Sequence, residues 1–297
     1  MPVDIRRGTT GVTLPRAVSN EIWGAVVEDS AVMGVSNQIT LPGAGLTIPM
    51  ITGEPTAAWV AETEEKPVSR GAVASKAMTP YTIAVIVPFS NQFRRDVPGL
   101  YRELVRRLPG ALAKRFDETV YGVTAVPGSG FDTLGGAPTL TVDATGTFGD
   151  VLGVVSAVAA AGGDLSHWIV SNPLYATLLQ SVNGQGQQYF TLGQRPDGVL
   201  APSIFGAPVR KTRSAFKTST TVGDDTGLAG DFANSAYYGV VEGVTVSISD
   251  QATINDGGTM LNLWQRNMFA VRAEIEVGFV VRDVNHFIRL TDGTVDA

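Results

Sequence analysis

The stretch TIPMITGEPTAAWVAETEEKPVS (residues 47–69) decides the architecture of this chain. It does so together with a second stretch a few residues later, MTPYTIAVIVPFSNQFRRD (residues 78–96). Strand-forming residues at 56–61 and an alternating apolar pattern at 81–87 flank a polar segment at 62–71. Two strands around a polar tip predict an extended hairpin. An isolated hairpin is only marginally stable in water, so we expect this one to lie on another subunit.

A long amphipathic helix is predicted for residues 96–121. Asp96 can cap its start, and Pro109-Gly110 falls in its middle. Proline removes a backbone hydrogen bond and clashes with the preceding turn, so the pattern predicts a kink or a break there. The apolar stripe, which recurs every four residues, consists of Leu100, Leu104, Leu108, Leu112, Phe116 and Val120.

The second half of the chain alternates between helix and strand patterns. Residues 150–161 predict a helix, residues 167–171 a short buried strand, and Asn172-Pro173 the start of another helix. This succession predicts an α/β subdomain. A polar, glycine-rich segment at 184–198 is predicted to be a mobile loop, and the last long strand is predicted at 267–283.

The composition excludes several classes of protein. The chain has 297 residues, of which 44% are hydrophobic and 17% are charged, as is typical of a folded globular protein. It has no cysteine, which excludes disulfides, thiolate metal sites and cysteine nucleophiles. No apolar run reaches the roughly 18 residues that a membrane-spanning helix needs.

The charge distribution argues against sequence-specific binding of nucleic acid. The net charge is −6, whereas such binding normally needs a clustered basic face. One basic cluster lies mostly on the predicted long helix, and it is either a solvated helix face or a weakly phosphate-facing surface. Its members are Arg94, Arg95, Arg102, Arg106, Arg107, Lys114 and Arg115.

Catalytic and phosphate-binding motifs are absent from the sequence. There is no G-x-x-x-x-G-K-[ST] loop, no complete G-x-G-x-x-G and no G-x-S-x-G elbow. His167 and His286 are the only histidines, too few for a zinc site without cysteine, and His167 is expected to be structural rather than a catalytic base. The acidic residues Glu62, Glu64 and Glu65 are expected to make the hairpin tip soluble rather than to bind a cation.

The segment Asp224-Asp225-Thr226-Gly227 is too short for an EF-hand calcium loop and is predicted to be a turn. We therefore expect a protein with no metal, no cofactor and no enzymatic activity.

The opening stretch resembles the tailed-bacteriophage major capsid protein family, which has the Hong Kong 97-type capsid fold. The family pattern is a strand ending in proline, a Gly/Pro turn, an Ala-Trp-Val strand, an acidic tip, and a strand that runs through Ser-Asn into a long helix. The resemblance continues at 168–180, 205–212 and 269–283, so it covers nearly the whole chain in the right order. The parts of the pattern stand here as Ile48-Pro49, Gly53-Glu54-Pro55, Ala58-Trp59-Val60, Glu62 to Lys66, and Pro88-Phe89-Ser90-Asn91.

The resemblance implies an α+β chain that self-assembles as pentamers and hexamers into the icosahedral shell of a virion, around double-stranded DNA. The implied parts are an N-terminal arm (1–45), an extended hairpin called the E-loop (46–92), the spine helix with the first part of the P-domain (93–149), the A-domain (150–255), and the second part of the P-domain (256–297).

The implied partners are other copies of the chain, a portal, and DNA bound without sequence reading, with no membrane. Many family members begin with a long helical scaffolding segment that is cleaved off, whereas Met1 stands only a short way before the arm. We therefore expect either a separate scaffolding protein or a longer precursor. Assembly is expected in the host bacterial cytoplasm.

Some members of the family lock the shell with an isopeptide bond, in which a hairpin lysine attacks an asparagine of a neighbour and a glutamate acts as base. By resemblance, Lys66 before Pro67 matches the lysine, Asn267 before Met268 the asparagine, and Glu274 the glutamate. Asn267 and Glu274 are an odd number of residues apart, so a bulge or twist would have to bring them together. The alternative is a solvated lysine, a strand-end asparagine and a glutamate in a cross-strand charge pair.

Two other classes of protein compete with the capsid interpretation. An encapsulin, which is a cargo compartment, shares the implied fold, but the polar start MPVDIRRGTTG does not resemble the helical segment with which encapsulins bind their cargo. An enzyme of unrecognised type would need a convergent polar site, and the sequence offers no candidate triad or metal set.

Overall fold

The computed structural model describes residues 4–5, 30–53, 55–92, 98–142, 147–180, 192–194, 200–213 and 223–293. The predicted cap Asp96 lies outside these ranges, as do most of the predicted arm before residue 30 and the loop at 184–198 apart from residues 192–194.

Seventeen strands and four α-helices make up the described part of the chain, with a 3-10 turn at Val284–His286. No helix there has the length and apolar character needed to cross a membrane. The helices are α1 (Pro98–Val120), α2 (Thr147–Ala160), α3 (Asn172–Gln180) and α4 (Phe232–Ser235). The strands are β1 (Asp4–Ile5), β2 (Asn37–Thr40), β3 (Leu46–Gly53), β4 (Ala72–Met78), β5 (Tyr81–Ser90), β6 (Thr139–Thr141), β7 (His167–Val170), β8 (Leu192–Gln194), β9 (Leu200–Ile204), β10 (Ala207–Lys211), β11 (Asp225–Gly230), β12 (Ala236–Val240), β13 (Thr245–Ser249), β14 (Thr253–Asp256), β15 (Thr259–Asn262), β16 (Met268–Val281) and β17 (Phe287–Thr291).

A six-stranded sheet runs in the order β1-β5-β16-β12-β2, with β13 also paired to β16. Its longest strand, β16, pairs with β5 through ten consecutive antiparallel pairs, from Met268 opposite Ser90 to Val277 opposite Tyr81. Because side chains alternate along a strand, every second residue of β16 faces the same side. On one side these residues share an apolar cluster with α1, and they are Phe269, Val271, Ala273, Ile275, Val277 and Phe279.

The spine helix α1 continues from Pro98 to Val120 without interruption. Of the predicted kink or break at Pro109-Gly110, the break is therefore wrong and the kink stays a prediction. A proline inside a helix costs about 3 kcal/mol, whereas each large apolar side chain that is buried contributes about 1.5–3 kcal/mol. Packing of the stripe against β16 therefore outweighs the proline. The stripe residues that are buried as predicted are Leu108, Leu112, Phe116 and Val120.

A seven-stranded sheet, in the order β6-β17-β11-β7-β10-β9-β8, forms the predicted α/β subdomain together with α2 and α3. Trp168 of β7 is fully buried, and its indole N–H donates a hydrogen bond to the Ile204 carbonyl at 3.2 Å. The helix residues that complete this second core are Val151, Val154, Val158, Leu174 and Leu178.

The predicted turn at Asp224-Asp225-Thr226-Gly227 is wrong, because residues from Asp225 onward form β11 inside the seven-stranded sheet. The strand pairs with β7 on one side and with β17 on the other. Its glycines let neighbouring segments approach closely, since a Cβ at Gly230 would lie 2.5 Å from the His286 carbonyl oxygen. Tertiary packing therefore overrides the turn-like local sequence.

The two sheets cut across the domain bounds that the resemblance implies. β12 and β13 fall within 150–255 but belong to the six-stranded sheet, whereas β6 and β17 fall outside that range and belong to the seven-stranded sheet. The bounds themselves stay a prediction, and the chain passes between the two sheets more than once.

The extended hairpin consists of β3 and β4, which pair from Leu46 opposite Met78 to Gly53 opposite Ala72. The predicted strand at 56–61 is wrong, because this segment runs beyond the paired strands without regular structure. Strand propensity is expressed only where a partner strand or a packed face is available. The alternating pattern that follows is a strand as predicted, but β5 pairs with β16 rather than within the hairpin.

Residues 55–71, called here the hairpin tip, are almost wholly exposed. We predict few contacts within the chain for the longer segment 56–80, and this is wrong for its last part, where Ala72–Met78 form β4 and Met78 is fully buried. All residues of the tip are exposed except Val60, which is half-buried. Trp59 has 104% of the reference exposure of a tryptophan, and Val68 has 85%. The tip therefore presents apolar surface that the described part of the chain leaves exposed.

The base of the hairpin, in contrast, sits in a notch made by two glycines. Gly239 of β12 lies opposite Gly278 of β16, and Met78 at the end of β4 fills the space above them. A Cβ at Gly239 would lie 2.6 Å from the Met78 sulfur, and one at Gly278 would lie 2.9 Å from its Cγ. Met78 is fully buried as a result.

A polar contact fixes the direction in which β4 leaves the sheet. The Lys76 ammonium donates hydrogen bonds to Asp132 Oδ2 and to the Val281 carbonyl, each at 2.8 Å. The same carboxylate oxygen of Asp132 accepts from the Val281 N–H at 3.1 Å. The hairpin is thus anchored at its base and unsupported at its tip.

Gly278→Ala is expected to lower the free energy of unfolding by about 1–3 kcal/mol, because the new Cβ would overpack the notch against Met78. Met78→Ala in the same chain is expected to offset part of this loss, so the two changes should be non-additive. Urea unfolding of the free subunit, followed by circular dichroism, measures both effects.

Gly136→Ala is the matched control, since a Cβ there would meet nothing within 4 Å. An equal loss of stability from Gly136→Ala, or strictly additive effects of the other two changes, would contradict the packing of the notch.

Candidate functional site

Lys66 lies on the exposed hairpin tip, as the sequence predicts. A tight turn comes just before it, in which the Glu64 N–H donates to the Ala61 carbonyl at 3.2 Å. The Glu64 carboxylate accepts in return from the Ala61 N–H at 3.3 Å. The turn keeps Lys66 accessible to another molecule.

Asn267 is half-buried and stands immediately before β16. Its φ of 60° lies in the left-handed region, which asparagine tolerates better than most other residues. Its N–H donates to the Trp264 carbonyl at 3.2 Å, and the next N–H, of Met268, donates to the Leu263 carbonyl at 2.7 Å. This turn fixes the backbone from which the Asn267 amide projects.

Asn91 lies next to Asn267. Nothing in the sequence alone assigns Asn91 a role at this site. The β5–β16 ladder ends with Ser90 opposite Met268, so the next residue of each chain segment comes together. The Asn91 N–H donates to the Asn267 main-chain carbonyl at 3.3 Å, and Asn91 Nδ2 donates to Asn267 Oδ1, also at 3.3 Å. The register of the two strands, once known, is the signal that pairs these asparagines.

Glu274 is not brought to Asn267 of the same chain. It lies six residues beyond Met268 on an extended strand, which places the two about 20 Å apart. The ladder with β5 has no register shift over this stretch, so no bulge brings the two residues of one chain together. Glu274 instead lies 3.0 Å from the Arg272 guanidinium and accepts from Thr245 Oγ1 at 3.4 Å.

The exposed side of α1 is basic. Lys114 Nζ lies 3.5 Å from Glu118 Oε1, one turn further along the helix. The side chains of Arg94, Arg95 and Arg102 fall outside the described residues. The exposed basic side chains that the structure describes are Arg106, Arg107, Lys114 and Arg115.

The two histidines have structural surroundings. His286 Nδ1 lies 2.7 Å from Ser235 Oγ, but Ser235 is fully buried, so no substrate could reach this pair. His167 is half-buried with Nδ1 3.3 Å from Ser166 Oγ, and its burial lowers the pKa of the imidazole. Among the residues that the structure describes, no three metal-binding side chains are grouped together.

A buried carboxylate ties the root of the N-terminal arm to the spine helix. Asp117 of α1 accepts hydrogen bonds from Ser30 Oγ at 2.6 Å and from the Ala31 N–H at 2.9 Å. Burial raises the pKa of Asp117 to about 6, although these hydrogen bonds and the positive charge of Arg210 oppose the rise. This contact anchors the segment at Ser30-Ala31 to α1.

Comparison with known sequences gives a consistent result. The sequence model of the phage capsid family matches residues 10–292. A probable major capsid protein of Mycobacterium phage L5 is 27% identical over 282 residues, which cover 90% of this chain and 85% of that protein. The major capsid protein of Staphylococcus phage 80alpha is 21% identical over 289 residues, which cover 94% and 84%.

Solved structures share the fold over nearly the whole chain. A chain from Mycobacterium phage Adephagia superposes with a TM-score of 0.73 at 20% identity, covering 90% of this chain and 91% of its own. A capsid chain of a native GTA particle gives a TM-score of 0.60 at 13% identity, covering 99% and 95%. The family match, the sequence relatives and the shared Hong Kong 97-type fold show that this chain belongs to the phage capsid family and is a tailed-phage major capsid protein.

Proposed function

We propose that this major capsid protein assembles through its hairpin tip into pentamers and hexamers, which close into an icosahedral shell around double-stranded DNA. The observation that carries this proposal is the exposure of Trp59 and Val68 on a hairpin whose tip is not covered by the described part of the chain. Burying a large apolar side chain contributes about 1.5–3 kcal/mol. A neighbouring copy provides the surface on which that contribution can be gained.

Ring assembly explains why the tip is anchored at one end only. In a ring, each subunit contacts the next through two different surfaces, and the ring must close. The Lys76 contact and the notch filled by Met78 hold the base of the hairpin, while the tip is free to meet the next subunit. Pentamers and hexamers then require only small changes in the direction of the same contact.

The basic side of α1 is proposed to face packaged DNA without reading its sequence. Arg106, Arg107, Lys114 and Arg115 provide positive charge on a chain whose net charge is −6. Contacts to phosphate depend on charge and not on base identity. Arg102, predicted to belong to the same face, extends the proposal to a residue whose side chain the structure does not describe.

A portal is a further partner proposed, together with either a separate scaffolding protein or the scaffolding segment of a longer precursor, and assembly is proposed in the host bacterial cytoplasm. The absence of cysteine suits a reducing compartment. The shell protein is proposed to turn over no substrate. The encapsulin alternative gains no support, since the relatives and structures named above belong to phages or to a GTA particle.

An isopeptide bond between subunits is proposed to lock the finished shell. The supporting observations are that Lys66 is exposed on the tip and that the Asn267 amide is held in place by Asn91. The neutral lysine amine would attack the amide carbon, and ammonia would leave. Because Glu274 lies about 20 Å from the Asn267 region of its own chain, the carboxylate at each link would come from a different copy than the asparagine.

Expressed alone or with its scaffolding partner, the protein is expected to form closed shells visible by negative-stain microscopy. Trp59→Ser should reduce the yield of shells, because the indole would be buried only between subunits. The unfolding curve of the free subunit is the control and should not change. A stable monomer under all solution conditions would contradict the proposal.

Mature shells boiled in detergent are expected to give a ladder of covalent oligomers on a gel. Lys66→Ala and Asn267→Asp should each abolish the ladder, because the first removes the nucleophile and the second replaces the amide by an unreactive carboxylate. Lys114→Ala, at an exposed lysine on α1, is the control and should keep it. A single wild-type band near 31.2 kDa would contradict the proposed cross-link but not the capsid function.

A further inference from the structure

We infer that Asn91 is a positioning residue for the cross-link, in which its side-chain N–H polarises the Asn267 amide that Lys66 of another copy attacks. This inference rests on the proposed isopeptide bond and assigns a role to a residue outside the set of lysine, asparagine and glutamate.

The strand register places Asn91 and Asn267 together. β5 and β16 remain in register up to Ser90 and Met268, where the ladder ends. Asn91, which is helical, and Asn267, which lies in a turn, are the next residues beyond that last pair. Main chain and side chain of Asn91 each donate one hydrogen bond to Asn267, to its main-chain carbonyl and to its Oδ1. Two bonds from one residue restrict both the position and the rotation of the Asn267 amide.

The surroundings of Asn91 indicate that stability does not explain its presence. The side chain is 5% exposed, and its Oδ1 has no hydrogen-bond partner in the described part of the chain. A buried acceptor without a partner costs about 1–3 kcal/mol. The rings of Phe89 and Phe269, 5.9 Å apart, form an apolar pair two residues away along each strand. An apolar residue at position 91 would avoid the cost, so the asparagine is better explained by the bond that it donates.

The hydrogen bond from Asn91 reaches the oxygen on which negative charge develops during the cross-linking reaction. As the neutral amine of Lys66 attacks, a bond forms between Nζ and Cγ of Asn267, and negative charge accumulates on Oδ1. The Asn91 N–H already points at this oxygen and strengthens its bond as the charge grows. The Cγ–Nδ2 bond of Asn267 then breaks, and ammonia leaves with the proton that the amine gives up, so no oxidant or further reactant is needed.

The left-handed backbone of Asn267 supports the same reading. Its φ of 60°, the bond from its own N–H to the Trp264 carbonyl and the bond from the Met268 N–H to the Leu263 carbonyl form a turn that holds the residue outside the regular strand. Asn267 is half-buried while Asn91 is buried, so one side of the Asn267 amide is covered and the other is open to a neighbour. A lysine can approach from the open side while Asn91 donates from the covered side.

The experiment measures the rate of ladder formation in purified shells of wild type, Asn91→Ala and Asn91→Asp. Removing one donor to a developing oxyanion typically slows a reaction by about 10²–10³-fold, and the 3.3 Å bond here is long, so we expect about 10- to 100-fold for Asn91→Ala. Asn91→Asp should be slower still, because a carboxylate would repel the developing charge. Gln92→Ala, at an exposed amide one residue along, should cross-link at the wild-type rate.

Two further readouts separate positioning from a merely structural role. Shells of Asn91→Ala should form normally, its free subunit should be no less stable than wild type, and its rate should be reduced by the same factor at every pH. Ladders at the wild-type rate in both variants would overturn the inference, as would a loss of shells or of subunit stability in Asn91→Ala. A wild-type protein that forms shells with no ladder overturns the cross-link and this inference together, whereas absence of shells overturns the assembly proposal itself.

Discussion

The ladder between β5 and β16 is the interaction on which the other parts of the molecule depend. It joins residues separated by nearly two hundred positions in the chain through ten uninterrupted pairs, and one face of β16 provides the floor on which α1 packs. The notch for Met78 lies further along β16, at Gly278, and the paired asparagines stand at the opposite end of the strand. Core, hairpin anchor and proposed cross-link site are therefore positioned by one strand.

The hairpin is anchored at its base and exposed at its tip, and this difference suits it to contact another subunit. Close packing against two glycines and a lysine held by Asp132 define where the hairpin starts. At 55–71 the residues that the structure describes offer the tip neither a partner strand nor an apolar surface on which to pack. An isolated domain gains nothing from such a segment, whereas a shell of identical subunits can use it as the contact that links each copy to the next.

The sequence predicted the elements whose signal is local and periodic. The stripe of α1 and the alternation of β5 and β16 follow from side-chain geometry alone, and each is found where expected. The errors share one cause. Residues 56–61 have strand propensity but no partner strand in the described part of the chain. Residues from Asp225 onward resemble a turn but form a strand between two other strands. Pro109 stays helical because the helix around it packs against the core. In each case long-range packing, which no local pattern encodes, decided the outcome.

The candidate site shows the same division between local and long-range information. Resemblance identified Lys66, Asn267 and Glu274, but the pairing of Asn91 with Asn267 depends on strand register, and the separation of Glu274 from Asn267 depends on the absence of a bulge. Both facts become visible only when the two strands are placed side by side. They also bear on the proposed cross-link, because a site assembled from several copies requires that the copies have met.

Burial of the hairpin tip on a neighbouring copy can be measured by hydrogen–deuterium exchange of residues 55–71 in the free subunit and in the assembled shell. We expect fast exchange in the free subunit, because its backbone is exposed, and slowing by at least about tenfold in the shell. Equally fast exchange of the tip in intact shells would contradict such burial.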